Sequence, residues 1–124
     1  MIAVTALCGC ASAPMPSSPD MRPLSDRDVC ALYGDSAKNS KALAFAAEGE
    51  ILRRGLVKAG EWNAVESGRD AIKIGSPECA ALATWGTPLS VATNQVSGTE
   101  VDIMRWPNKS ATFQNGRVTL LQSN

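Results

Sequence analysis

Hydrophobic positions along this chain change their period twice, and the changes divide it into three stretches. Residues 1–9 form an uncharged apolar run. Residues 10–24 then scatter Pro14, Pro16, Pro19 and Pro23 among alanines and serines, too little apolar surface to order a segment on its own. From Asp26 to Trp85 apolar residues recur three or four apart, as on helix faces. From Leu89 onward the period falls to two, the spacing of strands buried on one side.

Ser25 followed by Asp26 and Asp28 predicts a capped helix start, with acids against the dipole. Val29, Leu32 and Tyr33 give it one apolar face, and Gly34 is expected to stop it. After a polar turn, Ser40 opens a helix over Lys41–Arg54. Phe45, Ile51, Leu52, Ala44 and Ala47 are expected on its buried face, and Arg53-Arg54-Gly55 supplies the usual exit. The two arginines read as a solvated last turn rather than a partner-binding patch. Residues 56–68 are ambiguous: Leu56, Val57 and Trp62 should pack on the preceding helix, with one short helical turn over Glu61–Glu66. Ala71–Ile74 reads as a brief strand or an extended lead-in. Ser76-Pro77-Glu78 then predicts an N-cap with proline in first position, and this helix runs to Trp85 before Gly86 and Pro88.

The period-two stretch divides into Leu89–Val96, Glu100–Trp106, Ser110–Gln114 and Arg117–Gln122, an antiparallel meander. Asn115-Gly116 between the last two is a strong hairpin signal, because both residues tolerate positive φ. It predicts Phe113 opposite Val118 and Ala111 opposite Leu120, all four against the helices. The fold class is therefore α+β: two to three N-terminal helices packed on one face of a three- to four-stranded antiparallel meander.

Charge narrows the chemistry. Twelve acidic and twelve basic residues balance with no block of one sign, unlike the basic stripe of a nucleic-acid binder. Histidine is absent, which removes the commonest general base and metal ligand. Glu48 and Glu50 do not face each other on a helix. Glu100 and Asp102 share a strand face and read as its solvated side, with an acid pair or calcium ligand set as the sharper alternative. No nucleophile sits in a local motif with a base. The expectation is a protein that is not an enzyme and uses no cofactor, no metal and no small-molecule substrate. Among Trp62, Trp85 and Trp106, Trp85 is expected in the core. Trp106, at a strand end before Pro107, is expected as a partly exposed partner contact.

Leu7-Cys8-Gly9-Cys10 resembles the lipobox of bacterial lipoproteins, in which cleavage between Gly9 and Cys10 leaves a lipidated cysteine at the mature N-terminus. Residues 1–9 then form a signal peptide. They lack Lys and Arg and fall short of the ~15–30 residues of a secretory signal, which points to a start upstream of Met1. Two or more acyl chains on Cys10 would anchor the chain stably, and no other stretch reaches the ~18–20 apolar residues of a membrane span. Ala11 is compatible with sorting to the outer membrane. Residues 10–24 become a tether, and 25–124 one α+β domain. Cys30 and Cys79 either close a disulfide, which an oxidising compartment permits, or sit apart as small buried hydrophobes.

Over residues 75–122 the order of motifs resembles the SmpA/OmlA (BamE-like) outer-membrane lipoproteins. These motifs are Gly75-Ser76 before a helix, Trp85-Gly86 with Pro88 at its end, a strand closing on an aromatic, and Phe113-Gln114-Asn115-Gly116-Arg117-Val118. The helical region at 26–66 is additional to that family's pattern, and none of its partner-contacting residues maps onto this chain. The resemblance implies a periplasm-facing, lipid-anchored protein of the outer membrane with an envelope protein as partner, acting as a non-catalytic binding or scaffold module in outer-membrane assembly or maintenance. A small secreted inhibitor or ligand-binding module on the same fold is the alternative.

Overall fold

The computed structural model describes residues 20–123. Helices α1 (Asp26–Ser36), α2 (Lys41–Arg54), α3 (Ala59–Glu66) and α4 (Glu78–Trp85) precede strands β1 (Ser90–Val96), β2 (Thr99–Trp106), β3 (Lys109–Gln114) and β4 (Arg117–Ser123). The strands form one antiparallel sheet in the order β1-β2-β3-β4. The helices cover one of its faces, giving the α+β class that the change of period predicts.

The capping signals act as expected. Ser25 Oγ accepts from the Asp28 N–H at 3.1 Å, and Ser40 Oγ from Leu43 at 3.3 Å. Gly55 ends α2 at φ 71°. Three helix boundaries differ. Helix α3 opens at Ala59 instead of Glu61. Helix α1 continues through Gly34 to Ser36, because Gly34 serves a helix contact instead of a stop. A Cβ there would lie 2.5 Å from the Leu82 carbonyl oxygen and 2.6 Å from the Gly86 nitrogen, so the missing side chain lets α1 meet the end of α4. Helix α4 begins one residue late, with Pro77 as its cap; Ser76 Oγ instead accepts from the Lys73 N–H at 3.0 Å. Residues 71–73 carry no regular structure and Ile74 lies in a turn closed by the Ser76 N–H on the Lys73 carbonyl at 3.0 Å, so no strand forms there.

Helix α4 is buried through Cys79, Ala80, Ala81, Leu82 and Ala83, and its small residues allow close approach to α1. Met104, Trp106, Ala111, Phe113 and Val118 rise from the sheet to join Val29, Ile51 and Leu82 in one core. Tyr33 meets Trp62 edge-on at 4.8 Å, and Trp62 donates to Glu48 at 2.9 Å, fastening α3 beneath α2.

Three packing expectations are corrected. Phe45 (72% exposed) and Leu52 lie open to solvent. Helix α2 sits at the margin of the layer and buries a narrow strip around Ala47, Glu50 and Ile51. Packing also begins before Ser25: Met21 is buried, and Arg54 Nη2 donates to its carbonyl at 3.1 Å, so the tether segment expected over 10–24 gives up its last residues to the domain. Finally, Phe113 pairs with Val118 as predicted, but Ala111 pairs with Leu121. A bulge absorbs one extra residue of β4, which turns Leu120 outward and Leu121 toward the helices.

Candidate functional site

Arg27 on the first turn of α1 stands where α1, the start of α4 and β2 converge. Its Nε donates to Glu78 Oε1, its Nη2 lies 2.7 Å from Asp102 Oδ2, and Glu100 Oε2 stands 4.0 Å away. Asp102 is buried, and its other oxygen accepts from Thr93 Oγ1 at 2.6 Å. One guanidinium thus joins a helix start and a strand whose bonded residues lie 51 and 75 positions away in sequence. The arginine is held charged, first by its hydrogen bond to Glu78 and, against burial, by the charges of Glu78, Asp102 and Glu100.

This arrangement corrects the expectation that Glu100 and Asp102 form a solvated face. The face points at the helices, and only Glu100, at the strand start, stays exposed. Fixed charges that satisfy one another suit a structural latch better than proton transfer. Beside the latch, Asp26, Leu56, Pro77 and Leu82 enclose a shallow pocket of about 320 Å³ whose wall includes Cys30 and Cys79. Those cysteines are joined as a disulfide with a Cα–Cα distance of 5.3 Å, tying α1 to α4.

A second concavity of about 360 Å³ runs between α1 and β1. Ala31, Leu32, Leu82, Val91 and Met104 give it an apolar floor, and Asp28 and Asp35 stand at its rim. Asp35 is engaged by Thr87 through both the backbone N–H (3.0 Å) and the hydroxyl (2.5 Å). β1 beside it is exposed along its whole length.

The tryptophans exchange the places expected of them. Trp106 is 4% exposed and donates Nε1 to the Gly86 carbonyl at 2.9 Å, so it belongs to the core and is no partner contact. Pro107-Asn108 forms the tight turn into β3, and the strand end before it lies against the exit of α4 at Gly86, so a strand-terminal position is buried here. Trp85 is the half-buried one. It stacks edge-on against Trp106 at 4.9 Å, carries Lys109 4.6 Å above its ring, and donates to Asp70 at 3.1 Å.

Cys10 and Gly9 lie outside the described residues. Among the described residues, no cluster of acidic or cysteine side chains is arranged to hold a metal ion, and no helix is long and apolar enough to cross a membrane. The sequence reading missed Arg27, whose partners lie 51 and 75 positions away and leave no local pattern. Comparison with family models, curated proteins and solved structures finds no match to this chain.

Proposed function

We propose that this chain is a lipid-anchored protein of the bacterial cell envelope, held through Cys10 at the periplasmic face of the outer membrane, and that it acts by binding an envelope protein rather than by catalysis. The observation that carries the reading is the Cys30–Cys79 disulfide, since such bonds persist in exported proteins and are rare in the reducing cytosol. It supports the export implied by Leu7-Cys8-Gly9-Cys10 from a separate part of the chain. The helix, its Gly86 exit and the Asn115-Gly116 hairpin follow one another as the resemblance to the SmpA/OmlA lipoproteins requires. Binding is favoured over catalysis because the buried acid is committed to Arg27, while the groove beside β1 offers open apolar surface.

The test is fractionation of the native cell. The parent protein should sediment with outer membranes, and Cys10→Ser should release it to soluble fractions. Unchanged sedimentation would overturn the anchor. Crosslinking in intact envelopes should then capture a membrane-assembly component; a single soluble target would favour an inhibitor-like module instead.

A further inference from the structure

The sheet has two edges, and they are treated differently. The outer edge of β4 is covered at its start by the lead-in to α4: Gly75 N–H donates to Val118 O at 2.8 Å, Val118 N–H to Ser76 O at 2.9 Å, and Glu78 N–H to Gly116 O at 2.8 Å. Among the described residues, the outer edge of β1 has no neighbouring strand. Its two-residue turn at Ser97-Gly98 makes Val96 and Thr99 a hydrogen-bonded pair, so Ser90, Ala92 and Asn94 bond to β2. The backbone groups of Val91, Thr93 and Gln95 therefore point outward.

Exposed edges are usually blunted by charge, proline or shortness. β1 has seven residues, Ser-Val-Ala-Thr-Asn-Gln-Val, with neither charge nor proline, and all seven are exposed. The charges nearby, Glu100, Asp102 and Arg105, belong to β2, one strand further in. Antiparallel pairing of β1 with its own copy about Thr93 sets Val91 opposite Gln95 and Ala92 opposite Asn94. No like charges meet. We propose that two copies of this chain pair through β1, joining their sheets into one. The contact is self-complementary: each copy's β1 edge is used up by the other, so the assembly stops at two copies. Strand addition of this kind draws its affinity from main-chain hydrogen bonds. The inference does not depend on the lipid anchor.

The test uses the full chain without lipid, oxidised at Cys30–Cys79, with Cys8→Ser and Cys10→Ser to prevent stray crosslinks. Light scattering over a concentration series should show the mass rising to twice that of one chain. Ala92→Lys with Asn94→Lys places like charges opposite one another on the solvent face of β1. The pair should weaken association at least about tenfold while leaving the circular dichroism of the monomer intact. Mixing that variant with Ala92→Glu/Asn94→Glu should restore a one-to-one dimer. A single-chain mass at every concentration, a dimer indifferent to the lysines, or growth beyond two copies would each overturn the inference.

Discussion

Asp102 shows how much one buried side chain can coordinate. It accepts from Arg27 at 2.7 Å and from Thr93 at 2.6 Å, so its removal strands a guanidinium bond and a hydroxyl together. Asp102→Ala should cost about 1–3 kcal/mol in urea unfolding at neutral pH; a change lost in experimental scatter would show that water replaces it freely. Glu50 offers a pH test. Hydrogen bonds from Arg53, then Arg54, hold its carboxyl down to about 2 from the ordinary 4.5. A lowered folded value means its contribution is complete above pH 4.5 and disappears as pH falls toward 2. The melting temperature of the parent should therefore fall more steeply over that window than that of Glu50→Gln. Neither role was legible beforehand in full. Arg53 and Arg54 could be placed on the last turn of α2, but the i, i+3 and i, i+4 clasp on Glu50 depends on which way that turn faces.

At the scale of elements, local signals told the truth wherever the chain itself supplied the partner. Ser25, Ser40 and Gly55 set helix ends, and Asn115-Gly116 set a hairpin with positive φ at both residues. Where a distant element supplied the partner, the same signals misled. Gly34 looked like a stop and is a contact point with α4; Phe45 looked like core and is exposed among the described residues. Two glycine substitutions separate these cases. Gly34→Ala should destabilise by about 1–3 kcal/mol, since its Cβ would meet backbone that cannot swing aside. Gly49→Ala, in the middle of α2 with open space around it, should stabilise by about 0.5–1 kcal/mol. Thermal melts of both variants check the pair of signs. The β4 bulge belongs to the same lesson: alternation fixed which residues face the helices only as far as Val118, and one extra residue reversed the order beyond it.

For the whole molecule, the fold class followed from the two changes of period, while the convergence of α1, α4 and β2 on Arg27 did not, because its partners span most of the domain. The disulfide reinforces that convergence. Its cysteines are 49 residues apart, and in the chain-entropy model a loop of that size contributes about 4 kcal/mol. Unfolding in denaturant with and without reductant should differ by that order, and Cys30→Ala/Cys79→Ala should match the reduced parent. The bond also bears on the order of maturation. The full sequence has four cysteines, enough for three alternative pairings. On the proposed lipoprotein reading, processing before Cys10 would discard Cys8 and consume the Cys10 sulfur in a thioether. Two thiols then remain, with only each other to oxidise, so acylation before oxidation would let the chain find its native crosslink without an isomerase.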